Sequence, residues 1–464
     1  PLKKTYELFQ HPMAVIEVND KDIASADKTI TISDIVVDLT SGYDASIAEF
    51  SIYDVYDTAK AQFDTEKVKK FIMLGSKLKI YLGYSTSVRC VFLGVITKIN
   101  YLFEKDSAPC IRVTGMDVKG LMMSGSYSRQ LKATTYSEAV KEILNRTASE
   151  KMQNSGCIED ITVADTMDRT RELMSGGGMF NSPDKSIEMV AESDYEFVVK
   201  AAKKNNYEFF TECGHVYFRR AKSDTDILIE LGPDTGMQSF DIAYDLTGLV
   251  EKVIVKGTDV SKAAVFSAEK SFSNKISRGN KAKRLIAGSQ KVYIDSSVSS
   301  KDEAAERAAS LMESISYRFG KFVVDLVGLP EMLPGHFINL KGLGEGTENK
   351  FYLTRVRHTM RQDGMYDVRA EGVSASIENT NPLGGLMGDF GGLGNITNQV
   401  SGIAADVGNV AAAANQAIQT VNEAAGRTQG VVNQVQGAVN TAEGTAALLS
   451  GLPEELVEVI SGLL

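Results

Sequence analysis

Two residues of reactive type stand close together in the stretch 195–218, YEFVVKAAKKNNYEFFTECGHVYF, where Cys213 and His215 flank Gly214. A thiol beside an imidazole is the pairing of a covalent nucleophile with its base, and the same residue types bind zinc. Either chemistry needs more than two neighbours: a third group to orient the imidazole, or further ligands to close a metal site. The chain has only four cysteines (Cys90, Cys110, Cys157, Cys213) and four histidines (His11, His215, His336, His358), with no paired C-x-x-C spacing. H-E-x-x-H, G-x-x-x-x-G-K-[ST] and G-x-S-x-G are all absent. GLGEGTENK and SGGGM are rich in glycine but lack the strand-to-helix setting of a phosphate loop. No pair of carboxylates stands out for acid–base work. Cys213 and His215 fall at the tip of an expected hairpin, where adjacent side chains splay apart. The thiols are therefore read as reduced and buried, no catalytic residue, cofactor or metal is assigned, and the chain is expected not to be an enzyme.

Several elements must position that tip. Ser193 and Glu196 form a capping box that opens a helix with Val198, Ala201 and Ala202 on one face, and Asn205-Asn206 stop it. YEFF and HVYF then face each other across the turn. A first capping box, Thr135 with Glu138, precedes the apolar face Ala139, Val140, Ile143 and Leu144. A third, Ser300 with Glu303, starts a helix running through Ile315. Elsewhere the chain alternates as half-buried strands do, in MAVIEV (13–18), TITISDIVVDL (29–39), SKLKIYLGY (76–84), VRCVFLGVITKINYLF (88–103) and CIRVTGMD (110–117), then in GLVEKVIVKGTD (248–259) and on to Val373.

The strand pattern repeats. GSKLKIYLGY, FLGVITKINY and APCIRVTG in the first half are echoed by GHFINLKGLG, FYLTRVRHTM and MYDVRAEG in the second. Gly75 to Phe92 is 17 positions and Gly335 to Phe351 is 16; Phe92 to Gly115 is 23 and Phe351 to Gly372 is 21. Two copies of one antiparallel β-module are expected, with a helix spliced into the second. The fold class is then α+β, mainly β. The expected units are a first β-barrel module (1–125), an inserted α/β region (126–240), a second β-barrel module (241–377), a Gly-rich linker (378–394) and a helical, coiled-coil-like tail (395–464).

In that tail Ile396, Val400, Ile403, Val407, Val410, Ile418, Val421, Val432, Val435 and Val439, with Ala414, Ala425 and Thr428 filling the gaps, recur at steps of three and four, a seam expected to meet symmetry mates or another protein. A continuous helix from Ile396 to Leu449 would be ~80 Å long at ~1.5 Å per residue. Its interspersed glycines (Gly402, Gly408, Gly426, Gly430, Gly437, Gly444) each cost about 1 kcal/mol relative to alanine, so such a helix needs partners.

The formal charge of −10 argues against a nucleic-acid binder. From Glu378 onward eight acids face one base, Arg427. The basic cluster KSFSNKISRGNKAKRLIAGSQK (270–291) has a single aromatic, Phe272, and reads as a solvated loop or a docking face for an acidic neighbour. No run approaches the ~20 apolar residues of a membrane helix, and synthesis in the bacterial cytoplasm is expected.

With these pieces placed, the chain resembles the baseplate-hub family: phage late control protein D, the T-even phage tail hub and the amino-terminal part of type VI secretion spike proteins. Four passages carry the likeness: Gly83-Tyr84 with Phe92-x-Gly94-x-Ile96, the helix–hairpin DYEFVVKAAKKNNYEFFTECGHVYFR, LPEMLPGHFINLKG, and the closing hairpin KFYLTRVRHTM…DGMYDVRAEG. The likeness spans about residues 10–376 and leaves the final ~85 without counterpart. It implies two tube-like barrels per chain and a homotrimer of pseudo-six-fold form, joining a hexameric tail tube to a separate trimeric spike protein in a contractile particle. Tail tube protein, spike, a tape-measure protein and baseplate wedge are the implied partners, without nucleic-acid specificity or stable membrane anchoring. Two rival readings are a tail-borne cell-wall hydrolase and a membrane-active effector. The first lacks a carboxylate pair or metal triad; the second lacks the Lys/Arg of an interfacial helix.

Overall fold

A computed structural model describes residues 9–26, 28–85, 87–105, 107–151, 156–166, 187–259, 264–276, 281–295, 298, 300–344 and 347–377. The linker and the tail seam, Ile396 to Val439, lie outside the described residues. Twelve strands form the frame. In the first half these are β1 (Pro12–Val18), β2 (Thr31–Thr40), β3 (Ile47–Tyr53), β4 (Lys77–Tyr84), β5 (Ser87–Leu102) and β6 (Cys110–Met116). In the second they are β7 (Ile227–Leu231), β8 (Met237–Tyr244), β9 (Gly320–Val327), β10 (Phe337–Leu340), β11 (Lys350–Met360) and β12 (Tyr366–Ser374). Other strands are named by their residues.

The two sets pair in one order. The first runs β1-β4-β5-β6-β3-β2 and the second β7-β10-β11-β12-β9-β8, so each strand corresponds to the one numbered six higher. One pairing differs in direction: β1 is antiparallel to β4, whereas β7 is parallel to β10. The repeat extends to single hydrogen bonds. Gly75 N–H donates to Ile96 O (2.8 Å) and Ile96 N–H to Ser76 O (2.9 Å). In the second copy Gly335 N–H donates to Leu353 O and Leu353 N–H to His336 O, both at 2.9 Å. Both glycines sit at positive φ, +84° and +90°, where a side chain is strained.

Each copy also carries one bulged threonine just after the strand residue that faces a glycine. Ile96 pairs with Gly115 and Lys98 with Thr114, skipping Thr97; Leu353 pairs with Gly372 and Arg355 with Glu371, skipping Thr354. The skipped hydroxyls donate to Thr114 O (3.4 Å) and Glu371 O (3.3 Å). A bulge adds a residue and re-aims the strand. It also revises the alignment of the two copies and sets the faces of β11. The counterpart of Phe351 is Gly94, not Phe92. Phe92 compensates, because its ring lies 2.7 Å from where a Gly94 Cβ would sit and also covers Gly115. Tyr352 and Thr354 do not share a side with Val356, His358 and Met360; the extra residue turns them to the opposite face, and Tyr352 bonds Glu208 of the insert instead.

The modules are not separate bodies. The last half of β11 extends past β10 and pairs antiparallel with β2, from Arg355↔Thr40 to Met360↔Ile35, which makes one thirteen-stranded sheet including Lys21–Asp22. One core spans both halves, with Val37, Leu39, Phe50, Leu78, Ile80, Ile111 and Val113 from the first and Phe322, Val324, Phe351, Leu353 and Val356 from the second. On the other face Asp38 accepts a bidentate pair from Arg355 (2.7 and 2.7 Å) and further bonds from Arg357 (3.1 and 2.5 Å). Burial pushes the Asp38 pKa up, but the two guanidiniums outweigh it and hold the carboxyl below its ordinary range.

The insert has its own core. It packs α1 (Tyr136–Arg146) and α2 (Asp194–Asn205) against the hairpin Tyr207–Glu212/His215–Arg220. Both expected capping boxes form, Thr135 with Glu138 and Ser193 with Glu196. Asn206 ends α2 at φ 54°, ψ 44°, a left-handed conformation that asparagine tolerates. Between β8 and β9 the second copy holds more than a helix. A three-stranded sheet (Lys252–Asp259, Ala264–Ser271, Gln290–Ile294) packs under α3 (Lys301–Ser316), whose start is capped by Ser300 accepting from Glu303 N–H. Among the described residues no helix is long and apolar enough to cross a membrane.

Candidate assembly interface

The hairpin turn consists of Cys213 and Gly214 alone, with Glu212 opposite His215 and φ of +43° and +89°. Positive φ at both turn residues is the type I′ geometry that matches strand twist. The tip does not splay into solvent. Gly214 lies against β5, where a Cβ would meet Leu93 at 2.5 Å, and Cys213 is disulfide-bonded to Cys90 of that strand with Cα atoms 6.0 Å apart. The reading of four reduced thiols is corrected for this pair; Cys110 and Cys157 are buried, and the Cys157 thiol donates to Gly94 O (3.1 Å). No local pattern announces the pairing, because 123 positions separate the partners. His215 stacks on Tyr217 (4.2 Å) and bonds Thr162 (2.7 Å), with Asp160 at 3.5 Å. With the thiol consumed, the pair is not a nucleophile with its base. Among the described residues no group of three or more His, Cys, Asp or Glu is placed to hold a metal ion.

The strongest polar cluster lies where this hairpin meets the second module. Glu208 is buried, accepts from Arg219 Nε (2.7 Å) and from the Tyr352 hydroxyl, and burial raises its pKa. Arg219 also donates to Gly335 O (2.7 Å) and lies 3.4 Å from Asp224. His336 joins from β10's approach, 3.1 Å from Glu212 and 3.5 Å from Asp224. On the first module's side, buried Lys119 donates to the carbonyls of Gly42 (3.2 Å), Asp44 and Phe209, with Asp117 3.7 Å away. Burial lowers its pKa, against the pull of Asp117. Every charge here has fixed protein partners, and the arrangement orients the insert on both modules. Sequence reasoning singled out neither Glu208 nor Lys119; the only signal was a charge inside an apolar strand or helix pattern.

His358 is fully enclosed. It bonds Met332 O through Nε2 (3.0 Å) and the Tyr366 hydroxyl through Nδ1 (2.9 Å). The Met332 carbonyl can only accept, so Nε2 carries the proton. Burial lowers the pKa to about 4.

Among the unpaired edges of the sheet, two carry exposed aromatic residues. Among the described residues no strand pairs with the outer side of β8, nor with the outer side of β5 from Thr97 to Leu102, beyond the reach of β4. These two edges carry Tyr101, Phe103 and Phe240 at 52%, 63% and 43% exposure. Unpaired edges with exposed aromatics invite another strand. The described part of the basic segment 270–291 includes the end of the strand at Ser271, the helix Lys281–Ile286 and the start of the strand Gln290–Ile294, and Lys270, Lys275, Lys281, Lys283, Arg284 and Lys291 are exposed.

A family model described as the Alg8 N-terminal domain matches residues 160–362. That stretch is less than half of the chain, and its boundaries cut through the insert and the second module. No curated protein sequence matches the chain. Among solved structures, the chain is similar to the tail protein from Neisseria meningitidis MC58, with 12% identity and a TM-score of 0.54, covering 78% of this chain and 97% of that one. It is also similar to the 43 kDa tail protein of prophage MuSo2 from Shewanella oneidensis, with 12% identity and a TM-score of 0.55, covering 78% and 98%. At this identity the likeness is one of fold, over 78% of this chain.

Proposed function

We propose that the chain is a structural hub of a phage-tail-like contractile particle, in which three copies form a pseudo-six-fold ring between a hexameric tail tube and a trimeric spike. The supporting observation is the duplicated module, matched strand for strand and joined through β2 and β11 into one sheet. A repeated module lets three-fold symmetry present six similar faces. The likeness of fold to the two tail proteins is in keeping with this reading. In this reading the seam from Ile396 to Val439 bundles on the three-fold axis or holds a tape-measure protein. The protein is synthesised in the bacterial cytoplasm and then built into the particle; it has no catalytic role. The test is reconstitution of the full chain with the tube and spike proteins encoded beside it. Rings capping one end of the tube and bound to spike are expected. A chain that binds neither, or that turns over peptidoglycan, overturns the reading. Deleting residues 395–464 separately tests the tail, where normal assembly and tube length would refute an essential role.

A further inference from the structure

The joint inside the chain supplies a template for a joint between chains. β2 pairs with the part of β11 that extends past β10; by the module correspondence, β8 is the counterpart of β2 and the Thr97–Leu102 part of β5 is the counterpart of that part of β11. We infer that the open edge of β8 in one copy pairs antiparallel with Thr97–Leu102 of β5 in a second copy, in the register of the β2–β11 joint.

The register follows from pairings already in place. Val37 and Ile242 hold equivalent positions, since they pair with Ala48 and Phe322, which in turn face Gly115 and Gly372. Tyr101 and His358 are equivalent through their partners Ile111 and Val368, counted from the same two glycines. Val37 pairs with His358, so Ile242 is opposite Tyr101. The same register puts Tyr244 opposite Ile99 and Phe240 opposite Phe103. All six lie on the core side, because Ile99, Ile242 and Tyr244 already pack on the main core and alternation carries the others with them. Apolar thus meets apolar at each core-side pair. On the opposite face Lys98 meets Asp245, two exposed charges of opposite sign. A slip of one residue would set the apolar side of one edge against the polar side of the other.

Tyr101 and Phe103 are already held by rings of their own chain, Phe63 at 5.3 Å and Tyr56 at 5.1 Å, so this edge is pre-shaped before a second copy arrives. The joint is head-to-tail, and each copy offers one edge of each kind, so it must close into a ring or run on as a filament. That closure comes at three copies rests on the proposed function; the pairing itself does not.

The experiment uses the full chain with Asn100→Cys and Ala243→Cys, a pair placed directly opposite by this register, treated with mild oxidant. Chain-to-chain disulfides are expected in the double variant, absent from each single variant and from the one-residue slip pair Asn100→Cys with Ile242→Cys. As a check that does not depend on thiols, Lys98→Glu should weaken self-association about two- to five-fold, and adding Asp245→Lys should restore it. A native mass of three copies without the 100/243 cross-link overturns this joint and leaves the ring standing. Cross-linked chains that extend beyond three copies keep the joint and overturn the ring. A chain that stays monomeric at high concentration overturns the joint.

Discussion

Acid should loosen the seam between the modules through one side chain, His358. The ring is neutral and fully enclosed, with both nitrogens bonded, and its pKa falls to about 4 from an ordinary value of 6.5 because burial penalises the charged form. In the unfolded chain the imidazole regains its ordinary pKa. Between those two values the unfolded state binds more protons than the folded one, so stability rises with pH across this window. The contribution is complete above pH ~6.5 and is lost as pH falls toward 4. The full difference is worth about 3 kcal/mol at ~1.36 kcal/mol per unit, of which about 2.5 kcal/mol is gone by pH 4.5. Other carboxylates titrate in the same range, so the measurement is a difference. Urea midpoints of the wild-type chain and of His358→Gln are compared at pH 7.5 and pH 4.5. The substituted glutamine retains an amide donor toward Met332 but cannot be protonated, so that variant should lose about 2.5 kcal/mol less than wild type over the interval. Parallel losses in the two proteins, or a His358 imidazole resonance titrating near pH 6.5, would refute the reasoning.

Three further outcomes follow from packing and charge. Arg219→Ala leaves Glu208 buried without its cationic partner and should cost about 3–5 kcal/mol, detectable as a lowered melting temperature, whereas Glu208→Gln should cost less. Gly94→Ala should destabilise by about 1–3 kcal/mol or prevent soluble expression, since its Cβ would lie 2.1 Å from Met116 O. Gly364→Ala, at positive φ but in open space, isolates the backbone part of such a cost. Cys213→Ser removes a cross-link spanning 123 positions and should lower stability by up to about 5 kcal/mol under oxidising conditions. Under reducing conditions the variant and wild type should converge; a difference that persists there would mean that the serine harms packing.

Local signals in the sequence carry through to the structure, and long-range ones are silent. The capping boxes at Thr135 and Ser193, the stop at Asn206 and the hairpin around Gly214 are each encoded within a few residues, and each is formed. The echo between halves is also legible, because turn glycines such as Gly75 and Gly335 mark the same backbone bend in both. Its register is not. Phe92 fills space left by Gly94, so matching aromatic to aromatic misplaces the copies by two residues. Alternation gives no warning of a bulge, and Thr97 and Thr354 each shift the pattern by one. The Cys90–Cys213 bond and the β2–β11 joint link residues far apart in the chain, which no periodicity reports. Glu208 and Lys119 look like ordinary charges in the sequence, since burial is decided by what folds over them.

The central claim is that two matched modules let a few identical chains imitate a ring of twice their number. The most direct test is the mass of the full chain in solution, by native mass spectrometry or sedimentation equilibrium, followed by symmetry analysis of the particles imaged. Three copies with six similar lobes around one axis are expected. A stable monomer at tens of micromolar, or a two-fold dimer burying the β8 and β5 edges in some other way, would contradict it.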